Sequence, residues 1–364
     1  MEKRRSKIIA CAALIMFALI LPLSLCACSE KSWQKKFDTT LPSLKSEDGW
    51  SQTMNDDFSK FSNIEDVYAN TSWKPSPHGL RNMEYWCDQM ITYDSAEGAV
   101  VIKSLRTDSH SCEVCKKSEG IFTGGIETAD YDGDTRKPTF AQAYGYFEAE
   151  VKVPTAQGMW SAFWLQSYSV GKIGNSGKDG TEIDVYESSF HKNPTKTGNA
   201  LHWDAYNAPY YKMADHVTDT GKNLYDGQYH KYSVLWTPDR YVFYVDGQAV
   251  WATDKGGVST VGEYLRLTVE IRDGKIGPYG QSLGKFENAD DGSTDFCIKK
   301  VGVWQNDEFK EHIQNDENFS DMKNTFDRAI GATIAIGVIA VVAVILLIVL
   351  VCKRVKTDKK GKKA

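Results

Sequence analysis

Apolar residues along this chain cluster in short runs broken by Gly, Asp, Asn and Ser, with the spacing of strands rather than helices. The runs are Ala99 to Lys103, Tyr144 to Val153, Ser161 to Gln166, Glu182 to Glu187, Lys231 to Trp236, Tyr241 to Val245, Gln248 to Trp251 and Cys297 to Trp304. The clearest local unit runs from Tyr241 to Trp251. Two alternating segments flank Asp246-Gly247, a pair suited to a type I′ turn, which predicts a β-hairpin. Between the termini there is no convincing long amphipathic helix and no internal repeat. Many short strands with Gly-rich turns predict an all-β fold, a sandwich or barrel. In a jelly-roll sandwich one sheet bends into a concave face, a cleft able to hold a polymer across several strands.

The two ends depart from this pattern. Lys3, Arg4, Arg5 and Lys7 precede an apolar run from Ile8 to Leu25, the layout of an export signal over residues 1–28. Leu25-Cys26-Ala27-Cys28 resembles a lipobox with Cys28 as the acylated residue, and ordinary cleavage near Ala27 or Cys28 is the other reading. Residues 29–49 read as a polar tether and 306–328 as a polar stalk. Ala329 to Val351 is apolar and about 35 Å long as a helix at 1.5 Å per residue, enough to span a bilayer. Seven basic residues follow it: Lys353, Arg354, Lys356, Lys359, Lys360, Lys362 and Lys363. Positive-inside logic therefore predicts a transmembrane helix over 329–352, a cytoplasmic tail over 353–364, and everything before the helix outside the cell. The expected location is the cell surface, with the membrane a partner through that helix. A glycolipid-anchor signal normally ends in its apolar tail, so the basic extension argues against one.

What remains, residues 50–305, suits one large β-domain better than two small ones. The chain carries a net charge of −5, but its basic residues concentrate at the two ends. The middle is more acidic still, which argues against nucleic acid as a partner. Cys87, Cys112, Cys115 and Cys297 fall in this domain. Outside the cell an even set reads as disulfides, with three pairings open. Alternatively, Cys112-Glu113-Val114-Cys115 forms half of a zinc site that Cys87 and Cys297 complete. Asn70-Thr71-Ser72 and Asn318-Phe319-Ser320 are glycosylation sequons. Asp130-Tyr131-Asp132-Gly133-Asp134 has the look of a calcium loop, but its Gly is misplaced for an EF-hand and a solvated turn is expected.

The run Thr181-Glu182-Ile183-Asp184-Val185-Tyr186-Glu187 puts three carboxylates on a strand of otherwise buried character, with no basic partner nearby in sequence. Like charges so close repel, a cost that a working acid/base cluster explains. Alternation places Glu182 and Asp184 on one face and Glu187 on the other. One extra residue, a β-bulge at Val185 or Tyr186, would return Glu187 to its partners. The two Glu carboxyls could then approach to about 5–6 Å, near the 5–5.5 Å that a retaining glycosidase requires between nucleophile and acid/base. A solvated acidic edge strand is the plainer alternative. Trp160 and Trp164, four positions apart, must share a face in a regular strand, whereas Phe163 belongs to the core. With Trp203, they are candidates for stacking against sugar rings.

These segments together resemble glycoside hydrolase family 16. The resemblance runs from Asp56-Asp57-Phe58 through Phe122 to Thr128, Tyr144 to Ala149, the Trp-rich segment, the carboxylate strand and Trp236-Thr237-Pro238-Asp239 to the closing strand Asp295 to Gln305. It implies a curved, concanavalin A-like β-jelly-roll hydrolase that cuts inside β-linked chains with retention. Glu182 matches the nucleophile, Asp184 the helper carboxylate and Glu187 the acid/base. Trp160, Trp164, His202, Trp203 and Asn82 fall at substrate-binding positions. No cofactor is required, and Asp295 matches the position of a structural calcium in many members. The implied partner is a polysaccharide, with β-1,3-glucan the first choice. Endo-β-galactosidase action on mucin-type glycans, transglycosylation and non-catalytic carbohydrate binding are the alternatives. Gly125, where glucan-cleaving members often carry a basic residue, and the strand Leu265 to Glu270, which lacks the usual Asn- and Gly-rich run, depart from the pattern.

Overall fold

The computed structural model describes residues 32–313, apart from 113, 114, 133, 134 and 207. The chain up to Thr40 forms one compact unit, containing the short helix Ser32–Lys36, and the chain from Leu41 onward forms another. The export signal with Cys28, most of the stalk with its sequon at Asn318, the apolar stretch Ala329 to Val351 and the basic tail lie outside the described residues. Among those described, no helix is long and apolar enough to cross a membrane.

The second unit is an all-β sandwich. One eight-stranded sheet has the order β19 (Gln248–Thr253), β18 (Tyr241–Val245), β17 (His230–Trp236), β12 (Gly145–Lys152), β21 (Phe296–Asn306), β6 (Ala99–Ile102) and β5 (Ile91–Asp94), with β1 (Trp50–Asp57) paired to β21. A seven-stranded sheet has the order β16 (Lys212–Asp219), β15 (Lys196–Trp203), β14 (Glu182–Ser188), β13 (Met159–Ser167), β20 (Glu263–Ile271), β9 (Gly125–Glu127) and β2 (Lys74–Pro75). A smaller sheet joins β3 (Gly79–Leu80), β4 (Glu84–Trp86), β8 (Gly120–Thr123) and β7 (Leu105–Thr107), and β10 (Ala129–Asp132) pairs with β11 (Thr135–Pro138). That last pair sets Asp130 against Lys137, so the described part of the stretch that had the look of a calcium loop, Asp130 to Asp132, is one arm of a hairpin.

Every run read as a strand from the sequence lies in one. The Tyr241–Trp251 hairpin turns through Asp246 at φ 48° and Gly247 at φ 76°, the two positive angles a type I′ turn demands. The core lies between the two large sheets. Phe163, Leu165, Ile183, Val185 and Leu267 are fully buried on one side, and Phe147, Val234, Trp236 and Phe243 on the other. Tyr186 stacks on Tyr232 with ring centroids 4.1 Å apart, bridging the sheets.

The carboxylate strand is central to the seven-stranded sheet, and its register breaks where the sequence requires. Trp164 of β13 faces Asp184 while Phe163 faces Tyr186, so Val185 has no counterpart and is the bulged residue. On the other side Asp184 faces Ala200 and Glu187 faces Gly198. The bulge takes the Val185 carbonyl out of the ladder, and the buried side-chain amide of Asn199 donates to it at 2.6 Å. A buried carbonyl left without a partner costs about 1–3 kcal/mol. Asn199→Ala is therefore expected to lower unfolding free energy by about 1–3 kcal/mol in denaturant titration. It should also reduce activity, because the peptide that Asn199 holds sets the direction of Glu187.

Candidate active site

The bulge gathers Glu182, Asp184 and Glu187 on the floor of one cleft of ≈ 410 Å³ on the seven-stranded sheet. Trp160 and Trp164 of β13 line it too, as their four-residue spacing required, and Phe163 between them is fully buried in the core. His202 of β15 pairs across from Glu182 and also faces the cleft. The next residue, Trp203, alternates away and is absent from the lining; its ring packs over Gly256 on the far side of the strand. The two-residue period of the strand thus turns Trp203 away from the cleft face that His202 takes. Asn82 is exposed and spends its amide on Glu270, a cleft-wall residue, so it acts through that contact rather than from the floor.

Each carboxylate has its own holder. Tyr206 donates to Glu182 Oε2, and Gln166 Nε2 lies 3.3 Å from the same oxygen, which leaves Oε1 turned toward the cleft side. His202 Nε2 sits 3.0 Å from Asp184 Oδ2 and 3.9 Å from Glu182 Oε1. Its Nδ1 meets Tyr211 Oη at 2.6 Å, and the two rings stack. Tyr279 donates to Glu187 Oε2, reaching it over Gly198, where a Cβ would strike the tyrosine ring.

Burial and mutual repulsion set the protonation states. Burial, with repulsion from Asp184, lifts the Glu182 carboxyl to about 7, with His202, Tyr206 and Arg266 opposing. The same two causes push Glu187 well above the ordinary carboxylate range, with Tyr279 and His202 opposing. For His202 burial works against the charge, but the hydrogen bond to Asp184 and the surrounding carboxylates outweigh it and raise the imidazole to about 9. Near neutral pH the cluster thus favours a protonated Glu187 over a protonated Glu182, beside an imidazolium. This separation is what general acid and nucleophile need in order to divide the work.

A second layer fixes the walls. Arg266 of β20 is buried, with its Nε 2.8 Å from Glu127 Oε2 and its guanidinium 4.1 Å from the Trp164 ring centroid. Trp164 donates to Thr268 Oγ1 at 3.0 Å. Arg272 lies 4.3 Å over the Trp160 ring, and Arg81 pairs with Glu270 at 2.8 Å. None of these partners carries a local sequence signal; they meet because β13 and β9 flank β20 and the segment after β3 reaches Glu270.

Asp295, the calcium position that the resemblance implies, stands immediately before β21 and joins none of the convergent groups of His, Cys, Asp and Glu side chains among the described residues. Burial raises its carboxyl; Lys103 and Lys152 oppose that shift, and Asp94 and Glu97 add to it.

Residues 104–271 match the sequence profile of "Glycosyl hydrolases family 16". An endo-1,3-1,4-beta-glycanase, EglC, of Rhizobium meliloti is 33% identical over 166 residues, 42% of this chain and 30% of that protein. The chain thus spans under a third of the length of that curated relative. Porphyranase B of Zobellia galactanivorans superposes with a TM-score of 0.54 at 18% identity, covering 74% of this chain and 98% of that one. A structure from work on endo-acting O-glycanases of the human gut microbiota that initiate mucin breakdown gives a TM-score of 0.53 at 20% identity, covering 76% and 96%. At these identities the structural likenesses establish the fold.

The raised carboxyls carry a stability cost with a definite sign. A group whose folded pKa is raised contributes stability below its unfolded pKa and loses it as pH rises through the folded value. Glu187→Gln keeps the acceptor for Tyr279 and removes the ionisation. Its melting temperature should match wild type near pH 4 and exceed it increasingly toward pH 9 in parallel thermal melts. A constant offset across that range would contradict the assignment.

Proposed function

The chain belongs to glycosyl hydrolase family 16, and on that premise we propose that it is a retaining endo-acting glycosidase for a β-linked polysaccharide, β-1,3-glucan first. The observation that carries this reading is the bulge at Val185, which sets Glu182, Asp184 and Glu187 on one cleft floor. In the first step Glu182 Oε1 attacks the anomeric carbon while Glu187 gives its proton to the departing glycosidic oxygen. The C–O bond to the leaving sugar breaks as the bond to Glu182 forms. Glu187, now a carboxylate, takes a proton from a water that attacks the same carbon, and Glu182 leaves as a carboxylate. Asp184, held by His202, tunes the charge on Glu182 as that bond forms and breaks. Tyr206 and Gln166 hold the spectator oxygen of Glu182, so the reacting oxygen is fixed without a search over rotamers. Trp160, half-buried in the cleft lining, offers an apolar ring to a sugar, with Trp164 buried beside it.

A second reading, an endo-β-galactosidase of mucin-type glycans, is favoured by Arg272. It lines the cleft, and its Nε is buried with no hydrogen-bond partner, a donor open to a polar substituent on the sugar. In either case the sequence of the two ends supports a cell-surface enzyme, anchored by the apolar stretch Ala329 to Val351 with its basic tail inside.

Digestion of laminarin, lichenan and poly-N-acetyllactosamine, with products followed by mass spectrometry and NMR, separates these readings. Wild type should release oligosaccharides with retained anomeric configuration. Glu182→Gln should lower kcat by at least about 10³-fold while the melting temperature holds. Activity against pH should be bell-shaped, because Glu182 must be ionised and Glu187 protonated. The acid limb should report Glu182, whose carboxyl is lifted to about 7, and the alkaline limb Glu187. Binding of all three glycans with no turnover by wild type would instead make the domain a lectin.

A further inference from the structure

Outside the cleft, one cluster of reactive side chains goes unused by the proposed reaction. Cys87 follows β4, and His110, Cys112 and Cys115 lie in the connection from β7 to β8. One ligand atom from each of these four residues lies within 4.8 Å of every other. Cys87 Sγ is 2.8 Å from Cys112 Sγ. The fourth cysteine, Cys297, lies instead in a separate buried cluster with Ala99 and Val101. The zinc quartet weighed as the alternative to disulfides is therefore corrected: His110 stands where Cys297 was placed.

We propose that Cys87, His110, Cys112 and Cys115 form a structural zinc site that ties the β7–β8 connection to the strand bearing Trp86. Zinc takes four ligands tetrahedrally, with Zn–S near 2.3 Å and Zn–N near 2.0–2.1 Å, so its sulfurs stand about 3.8 Å apart. The cluster already lies within about an ångström of that arrangement. Cys112 and Cys115 have the two-residue spacing of a zinc knuckle, and the backbone folds to suit it. The Lys116 amide donates to Cys112 carbonyl oxygen at 3.0 Å, Lys116 adopts φ 50°, and the Cys115 amide points at Cys112 Sγ from 3.4 Å. The amides of Gln89 and Lys117 approach the sulfurs of Cys87 and Cys115 in the same way.

The fourth ligand supplies an independent observation. Nε2 of His110 is buried and makes no hydrogen bond, while the ring stacks on Phe122 with centroids 3.8 Å apart. An orphaned buried imidazole nitrogen beside three sulfurs is accounted for by a metal ion. A Cys87–Cys112 disulfide would leave Cys115 and that nitrogen without purpose. On binding, the three thiols release their protons and the dication meets three thiolates and a neutral imidazole, a net charge of −1. Met90 and Phe122 enclose the cluster in apolar surroundings, the closed shell of a structural rather than a catalytic site.

The mechanical consequence reaches the cleft. β4 pairs parallel to β8, with Trp86 opposite Thr123, and the Cys87 amide donates to Thr123 carbonyl oxygen at 2.9 Å. Trp86 in turn donates to Val269 carbonyl oxygen at 2.9 Å and lies under Arg81 and Arg266. The site would thus lock the strand that carries this wall.

Purified full chain should hold about one zinc per molecule by elemental mass spectrometry. Cys87→Ser, Cys112→Ser and Cys115→Ser should each reduce that to near zero. Chelation should lower the melting temperature of wild type and added zinc should restore it. In case those variants fail to fold, cobalt added to metal-stripped wild type provides a second readout. It should give the intense visible bands of a tetrahedral thiolate site, altered in shape by His110→Gln. A chain without zinc that takes up no cobalt under reducing conditions would overturn the site. So would a Cys87–Cys112 disulfide found by alkylation and peptide mapping in metal-free native protein. All of these readouts are independent of glycan hydrolysis, so the zinc site and the proposed enzyme can fail separately.

Discussion

An unpaired residue in an otherwise regular ladder, Val185, decides what this sandwich can do. Without it, strict alternation would send Glu187 into a core made of Ile183, Val185 and Leu201, where a carboxyl has no solvent and no partner. With it, two consecutive residues, Val185 and Tyr186, both pack inward at full burial. The acid that follows then comes out on the cleft side. The bulge is not free-standing: the Val185 carbonyl it displaces is recovered by Asn199, and Tyr186 is anchored by its stack on Tyr232 in the opposite sheet. A backbone irregularity costs stability unless the groups it releases find partners, and here the Val185 carbonyl does.

Three carboxylates held this way must be compensated, and the compensation shapes the rest of the cleft. His202 supplies a positive charge against Asp184, and Arg266 one against Glu127 just behind the floor. Neither pair cancels the repulsion. What remains appears as the upward displacement of Glu182 and Glu187, and this residual strain is the property that the proposed reaction would use. Tyr206 and Tyr279 perform the same service for the two reacting acids, each binding one oxygen and leaving the other available. Removing the strain would stabilise the fold and abolish the division between acid and nucleophile, the familiar opposition between stability and function.

How far all this was legible depended on whether the determining contact was local. The Asp246-Gly247 hairpin, the burial of Phe163, the shared face of Trp160 and Trp164, and the need for a bulge before Glu187 all follow from neighbours within a few residues. They stand in the structure as the sequence implied. Trp203 was singled out because its aromatic ring drew attention, whereas the two-residue period gives the cleft face to His202. Arg266 had been marked only as a departure in a strand expected to be Asn-rich; its meaning needed Glu127 and Trp164, which come from other strands. Long strands such as Lys196–Trp203 and Lys212–Asp219 were missed because polar residues interrupt their apolar pattern.

The cysteines make the same point most sharply. Sequence spacing identified Cys112 and Cys115 as a pair but offered two incompatible chemistries, disulfide or metal, and chose the wrong fourth member. His110 lies two residues before Cys112, close enough to have been considered, yet nothing along the chain says which way its ring turns. The parallel pairing of β4 with β8 brings Cys87 to the loop, and the Phe122 ring holds the imidazole against it. A structural metal there also fits the architecture. β3, β4, β7 and β8 are all short, with few ladder hydrogen bonds, and they form a minor sheet outside the main sandwich. A sheet that small buries little apolar surface, so a cross-link at its edge stabilises it where packing alone is weakest. Because Trp86 belongs to that minor sheet and also braces Arg81 and Arg266, the least self-sufficient part of the fold is the part the cleft wall leans on.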